Sequence, residues 1–200
     1  MAYKVLNNVS VKDVTSSDLL SLKTDLLVIV INKNTKDKVV NQLAKDVSSH
    51  LKESGSSVLV PNAKSFNAKN VLLVKGFQDS DQIHKLISMY QSIAQKGNQL
   101  KAKDISIMPG TVYPKGKCEI WLIEMVAKTI ESNVYIFSET CNKTAKKPSV
   151  KKLNILVSSL TKSDLIKAKN AAKKGYAIGE GVNSAKYLGD LPANHCTPRI

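Results

Sequence analysis

The sequence predicts an α/β domain with a mixed, mostly parallel sheet and helices on both faces. Residues 26–31 form an unbroken leucine, valine and isoleucine run, which is typical of a strand covered on both faces. Other short β-branched segments alternate along the chain with longer amphipathic segments, as they do in βαβ units. The series ends in a long final helix, which we expect to be a connector outside the sandwich.

The amino-terminal elements follow from short runs and from helical spacing. Residues 3–11 alternate loosely between polar and apolar side chains and predict an opening strand. Apolar side chains at three-to-four spacing over residues 37–53 predict an amphipathic helix that ends at Gly55. Residues 57–61 and 70–75 predict two short strands that can pair as a hairpin.

Helix and strand continue to alternate in the middle of the chain. The Asp-Ser-Asp run at residues 79–81 can cap a following helix, which we expect to end at Gly97. Residues 104–108 predict a strand that a Pro-Gly pair stops. An apolar stripe over residues 118–130 predicts the next helix, and residues 134–137 predict a further strand.

The last strand and helix set the predicted domain boundary. Residues 153–157 predict a strand after a lysine-rich loop, and a helix then begins near Thr161, where Asp164 stands in a capping-box-like relation. We therefore expect residues 1–160 to form the α/β domain. Residues 161–200 would be the connector helix and the start of a further domain.

Charge is the most unusual feature of the composition, with a formal net charge of +14. Ten lysines lie between Lys143 and Lys174, where Asp164 is the only acidic residue. Lysines can hold phosphates without sequence preference, whereas arginine, the usual reader of base edges, occurs once in the chain. Non-specific binding of DNA and a merely solvated surface both remain open, and the solvated surface is preferred. The candidate nucleic-acid-binding residues are Lys143, Lys146, Lys147, Lys151 and Lys152.

No pattern in the chain predicts a catalytic, cofactor or metal site. Three widely spaced cysteines and three scattered histidines fit neither a disulfide framework nor zinc spacing. The one G-x-G, Gly179 to Gly181, stands inside the last helix rather than between a strand and a helix start. Ala171, Gly175 and Gly179 share one helix face, which favours close packing of another backbone over phosphate binding.

The carboxyl-terminal residues 175–200 carry a specific pattern. Its elements are Glu180-Gly181-Val182-Asn183, Ala185-Lys186, Leu188, Leu191-Pro192-Ala193-Asn194 and Thr197-Pro198. The pattern resembles the start of the catalytic domain in the cytosolic leucyl aminopeptidases, the M17 metallopeptidase family. The resemblance implies that this chain is the non-catalytic amino-terminal domain of a longer enzyme and ends before the catalytic domain. It also implies that the glycine and alanine face of residues 162–186 is exposed here, or packs on a second chain, and covers the catalytic domain in the complete enzyme.

Further expectations come from the family. Its amino-terminal domain is similar in fold to macro domains, which bind ADP-ribose, so a nucleotide site near Gly76 or Gly110 is a third and weaker hypothesis. The family uses two divalent metals (zinc, manganese or magnesium), held by residues that would lie beyond Ile200, and it assembles as homohexamers. Some bacterial members bind DNA. We expect no cofactor in this part of the enzyme.

Location is predicted from the apolar content of the sequence. No apolar run reaches the roughly 20 residues of a membrane span. The first residues lack the apolar segment of a signal peptide, so the sequence predicts a cytoplasmic protein without membrane contact.

Overall fold

The computed structural model describes residues 5–31, 51, 53, 55–63, 65–77, 83–110, 113–138, 147–158 and 160–192. Within these residues six strands form one sheet in the order β1-β6-β5-β2-β4-β3. The strands are β1 (Asn8–Asp13), β2 (Thr24–Ile31), β3 (Ser57–Pro61), β4 (Ala68–Lys75), β5 (Asp104–Met108) and β6 (Lys152–Val157). The helices described are α1 (Ser16–Ser21), α2 (Ile83–Gln99), α3 (Glu119–Val134) and α4 (Lys162–Asp190).

Strand pairing confirms the mixed, mostly parallel sheet. β2 lies near the middle of the sheet and pairs in parallel with both β4 and β5. In this register Val28 is the partner of Leu72 in β4 and of Ile107 in β5. β3 is the antiparallel strand and pairs with β4, as the hairpin prediction expected. The strand over residues 104–108 matches β5 in both of its bounds.

Alternate side chains of β2 enter two separate cores, which explains its unbroken apolar sequence. Leu26, Val28 and Val30 pack in the larger core together with α2, α3 and α4. Leu27 and Ile29 face the opposite side and pack with Leu19 of α1 and with Phe66. Helices therefore cover both faces of the sheet, as the sequence predicted. The predicted helix over residues 37–53 falls almost wholly outside the described residues.

The first strand begins later than the sequence predicted. Instead of residues 3–11, β1 covers Asn8–Asp13, and residues 3 and 4 lie outside the described part of the chain. The backbone N–H groups of Val5 and Leu6 donate to the Glu131 carboxylate, at 3.0 Å each, rather than to a neighbouring strand. A side chain thus satisfies the backbone here, and strand pairing starts two residues further on.

Gly97 does not end α2, contrary to the prediction. The helix continues to Gln99, and Gly97 is buried against β5 and the segment before β6. A Cβ atom at this position would lie 2.6 Å from Cδ1 of Ile105 and 3.1 Å from Cγ2 of Val150. The glycine therefore allows the helix to approach the sheet, which is a different role from a helix stop.

The predicted strand over residues 134–137 is also wrong. Val134 is the last residue of α3, and residues 135–138 have no regular structure. β5 and β6 pair directly, so the sheet has no place for a strand between them. The aromatic side chains of this segment instead pack on α4, where the Phe137 and Tyr187 ring centroids are 6.3 Å apart.

The final helix begins where the sequence predicted. Thr161 is the N-cap, and its Oγ1 accepts a hydrogen bond of 3.1 Å from the Asp164 backbone N–H. α4 packs along α3 and also contacts β1, while Ala168 and Ala172 are buried in the larger core. The division of the chain after residue 160 stays a prediction. Among the described helices none is long and apolar enough to cross a membrane.

Candidate functional site

Gly175 and Gly179 of α4, which come just before Glu180, form a close contact between α4 and α3. A Cβ atom on Gly175 would overlap the backbone carbonyl of Glu124 in α3. A Cβ atom on Gly179 would lie 2.7 Å from Cβ and 2.8 Å from Cγ of Glu131, which is two turns of α3 beyond Glu124. Glycine is therefore required at both positions for the two helices to meet this closely. The prediction of close packing on this face is confirmed.

Glu131 is a buried carboxylate at the centre of this contact, with none of its surface exposed. Its Oε1 accepts from the Val5 N–H and from Nδ2 of Asn183, and its Oε2 accepts from the Leu6 N–H, all at 3.0 Å. Asn183 also donates to the Glu131 backbone carbonyl at 2.9 Å. One side chain of α3 thus joins the segment before β1 to α4.

The electrostatics of Glu131 reflect its burial. Burial raises the pKa of this carboxyl, and nearby Glu180 raises it further, while the hydrogen bonds from Val5, Leu6 and Asn183 oppose the rise. None of the ion pairs among the described residues includes Glu131. The hydrogen-bond donors to this carboxyl are neutral groups, and the arrangement is costly to break because buried polar atoms would lose their partners.

Polar contacts also fasten the end of α4. The Tyr176 hydroxyl donates to the Leu6 carbonyl at 2.8 Å, and Nζ of Lys186 donates to the Ser132 carbonyl at 2.5 Å. The Tyr135 hydroxyl donates to Oδ2 of Asp190 at 2.8 Å. Contacts to the segment before β1, to α3 and to the segment after α3 thus fix this half of the helix. Residues 193–200, which complete the sequence pattern, lie outside the described part of the chain.

A second stripe of α4 remains open. Ile178, Gly181, Ala185 and Leu188 recur at spacings of three, four and three residues, which places them on one side of a helix. All four are exposed; 39% of Ile178 and 56% of Leu188 are accessible. Among the described residues, no atom outside the neighbouring part of this helix lies within 4 Å of a Cβ built on Gly181. We name these four residues the outer stripe.

The expectation about the exposed face of the final helix was wrong. The face that carries Ala171, Gly175 and Gly179 packs on α3 within the same chain. The sequence places glycine and alanine on two different faces of this helix. Their spacing alone could not show which of them the chain uses internally.

The described residues show no group of three or more His, Cys, Asp and Glu side chains that could hold a metal ion. His84 and Cys118 are exposed, and the other histidines and cysteines lie outside the described part of the chain. Gly110, one of the two glycines named for the nucleotide hypothesis, follows β5. The buried hydroxyl of Tyr90 lies beside the Gly110 backbone, and burial raises the pKa of that hydroxyl.

Comparison with known proteins gives this geometry a context. No protein-family model matches the chain. A probable cytosol aminopeptidase of Vesicomyosocius okutanii is 30% identical over 180 residues, which are 88% of this chain and 35% of that protein. This chain is related to the cytosol aminopeptidases. A probable cytosol aminopeptidase of Azotobacter vinelandii is 28% identical over 199 residues, which are 92% of this chain and 39% of that relative. The chain therefore spans about a third of the length of the curated relatives it matches.

Solved structures agree on the fold. A variant of tomato leucine aminopeptidase matches with a TM-score of 0.68 and 19% identity, over 99% of this chain and 40% of that enzyme. The macro domain of ganglioside induced differentiation associated protein 2 matches with a TM-score of 0.55 and 17% identity, over 82% of this chain and 83% of that domain. The chain thus has a macro-domain-like fold followed by a long helix, as the family resemblance implied.

The structure divides the lysine-rich stretch between two places. Lys147, Lys151 and Lys152 are exposed at the start of β6, whereas Lys143 and Lys146 lie outside the described residues. Lys101 and Lys103 are also exposed near the start of β5, and the Lys103 carbonyl accepts from the Lys151 N–H at 2.7 Å. The other lysines of the stretch lie on α4. We name Lys101, Lys103, Lys147, Lys151 and Lys152 the edge lysines.

Sequence reasoning missed Glu131, which organises the contact between the two helices. Its position was nevertheless readable, because Ala127, Glu131 and Val134 are spaced by four and three residues on one buried face of α3. A carboxylate at a position that helical spacing assigns to the core indicates a buried polar contact. The spacing could not name the partners, since Val5, Leu6 and Asn183 are distant in sequence.

Proposed function

We propose that this chain is the non-catalytic amino-terminal domain of a leucyl-type aminopeptidase. The observation that carries the proposal is the unequal coverage of the relatives: the match extends over 88–92% of this chain but only 35–39% of the proteins named cytosol aminopeptidase. A region outside this match would then supply the catalytic residues.

The chemistry would belong to that other region. In the proposed complete enzyme, residues of that region would hold two divalent metals (zinc, manganese or magnesium), which would supply the activation of a water for removal of the amino-terminal residue of a peptide. The described part of this chain offers no matching set of ligands, so we assign none of its residues to the metals. The relatives' name supports a cytoplasmic location for the enzyme. Assembly as a homohexamer, with this domain at subunit contacts, is the further part of the proposal.

Activity of the chain in two forms tests the proposal. We expect the purified chain not to hydrolyse leucine-p-nitroanilide with or without added Mn²⁺. Joined to the part of the Vesicomyosocius okutanii enzyme outside the match, the chain should support metal-dependent hydrolysis. Chelator-sensitive turnover by the chain alone would show that it carries its own metal site and would overturn the proposal.

Weak polyanion binding is a second candidate function, which the clustering of the edge lysines favours. Five exposed ammonium groups at one edge of the sheet can attract phosphates as point charges. Binding of duplex DNA should then weaken with salt, at a log–log slope near −0.9 for each phosphate contacted. Replacing Lys103, Lys151 and Lys152 by glutamine should flatten this slope.

A matched control separates local binding from net charge. Replacing Lys12, Lys85 and Lys128, which are exposed on β1, α2 and α3, removes the same charge from other surfaces. Equal effects of the two triple variants, or no DNA binding at low salt, would leave the edge lysines as a solvated surface.

A further inference from the structure

We propose that the outer stripe of α4 is a docking surface for the region of the aminopeptidase polypeptide that lies outside the match with this chain. The inference rests on the proposed function and adds the contact through which the two regions meet. It follows from the composition of the stripe, the fixed orientation of the helix, the distribution of charge and the length of the relatives.

The composition of the stripe suits a packed protein contact. Ile178 and Leu188 supply apolar side chains at its two ends. Gly181 and Ala185 lie between them and leave room for close approach, since no other described element lies within 4 Å of a Cβ built on Gly181. Gly189, beside the stripe, is equally open. Small residues between larger apolar ones allow another element to approach the backbone.

The helix cannot turn to bury this stripe. Rotation of α4 would move Gly175 away from the Glu124 carbonyl and place bulkier residues against α3, where only a glycine fits. It would also remove the hydrogen bonds between Asn183 and Glu131. The exposure of Ile178 and Leu188 is therefore a consequence of a fixed inner face rather than of loose packing.

Charge favours an apolar protein partner over a polyanion. Residues 162–174 of α4 carry five lysines against one acid. Residues 175–190 carry one lysine, Lys186, against Glu180 and Asp190, and the Lys186 ammonium is engaged by the Ser132 carbonyl. The outer stripe thus lies on the half of the helix that would not attract phosphates.

The length of the relatives identifies the occupant. This chain covers 35% of the Vesicomyosocius okutanii protein and 40% of the tomato enzyme, so most of each polypeptide lies outside the match. α4 is the last element described, and its stripe occupies the last three turns. A region of the same polypeptide is tethered to this helix, so even a modest contact surface would be occupied.

The test joins the intact chain to the part of the Vesicomyosocius okutanii enzyme outside the match and measures two properties. Leucine-p-nitroanilide hydrolysis reports whether the two regions form a working enzyme. Amide hydrogen exchange reports docking: we expect residues 177–190 to exchange about tenfold more slowly in the joined protein than in the chain alone.

The variants Gly181→Glu and Ala185→Glu place a charge on the stripe without disturbing the inner face, and they should abolish the added protection. The matched control Asn170→Glu introduces the same charge at an exposed position on the lysine-rich half of the helix and should retain it. Added protection that survives both stripe variants would overturn the docking surface.

The remaining outcomes separate the two proposals. A joined enzyme that is active but shows no added protection would overturn the docking surface and leave the proposed function standing. A joined protein without activity, where the relative's own matching region restores it, would overturn the proposed function and the docking surface with it. A dimer of the isolated chain that Ala185→Glu dissociates would show that a second copy occupies the stripe, which also overturns the proposal.

Discussion

α4 carries two stripes that contain glycine and alanine, and the structure uses them differently. The inner stripe, Ala171, Gly175, Gly179 and Asn183, is buried against α3 and the segment before β1. The outer stripe is exposed along its whole length. Both have the spacing of a helix-packing face, so spacing does not explain why one is covered and the other open.

Polar groups on α3 account for the difference. The Glu124 carbonyl lies where a side chain at position 175 would be, and the Glu131 carboxylate accepts from Asn183 at the end of the inner stripe. Apolar surface alone would permit several rotations of the helix, whereas these directional contacts permit one. The backbone and carboxylate of α3 therefore specify the inner stripe, whereas no described element covers the outer stripe.

The largest effect should come from a methyl group on the inner stripe. Gly175→Ala would place a Cβ against the Glu124 carbonyl, so two helix backbones must separate, and we expect a loss of about 3 kcal/mol in the free energy of unfolding. Urea denaturation monitored by circular dichroism measures this. The matched variant Gly181→Ala, where the space is open, should stabilise the chain by roughly 0.5–1 kcal/mol because alanine favours the helix.

Equal changes for the two alanine variants would show that α4 does not pack on α3 as described. The pair is a sensitive test because both substitutions add the same methyl group to the same helix, six residues apart. Their intrinsic helix propensities are therefore matched, and only the surroundings differ.

The next effect concerns the carboxylate that fixes the inner stripe. In Glu131→Gln an amide NH₂ must replace one of the two carboxylate oxygens, which together accept from the Val5, Leu6 and Asn183 donors. One buried donor then loses its acceptor, and we expect a loss of about 2 kcal/mol. Glu124→Gln, which removes a partly exposed ion pair with Lys174, should cost less than about 1 kcal/mol. A Glu131→Gln variant with the same free energy of unfolding as the parent would show that the carboxylate does not organise the contact.

The pH dependence of stability in the parent chain and in Glu131→Gln gives a smaller and independent signal. Burial raises the pKa of Glu131 in the folded state, so the folded chain binds this proton at a higher pH than the unfolded chain does. The contribution of Glu131 is therefore fully present below the unfolded pKa and is lost as pH rises through the folded pKa. We expect the stability advantage of the parent over Glu131→Gln to grow as pH falls from 7 to 5, measured by urea denaturation. An advantage that shrinks over this range would show that hydrogen bonding, not burial, dominates the pKa.

These contrasts also mark what the sequence could and could not predict. The parallel sheet followed from the apolar residues of β2, and the start of α4 followed from Thr161 and Asp164, because both are local patterns. Gly97 was assigned to a helix end because a glycine that stops a helix and one that admits a neighbouring strand have the same local sequence. The segment after Val134 has the composition of a strand, but its aromatic residues pack on a helix that is about fifty residues away in sequence. Contacts between distant residues, including the carboxylate of Glu131, decide such cases.

The smallest effect should come from the lysine-rich half of α4. Lys169 and Lys173 are exposed on residues 162–174, where the helix contacts the core through Ala168, Ala171 and Ala172. Because their ammonium groups remain in water in the folded and unfolded chains, Lys169→Gln and Lys173→Gln should each change the free energy of unfolding by less than about 0.5 kcal/mol. Urea denaturation at low and at physiological salt checks this, and the small changes should be the same at both. A loss of unfolding free energy as large as that of Gly175→Ala would show that these exposed lysines, and not only the inner stripe, hold the helix in place.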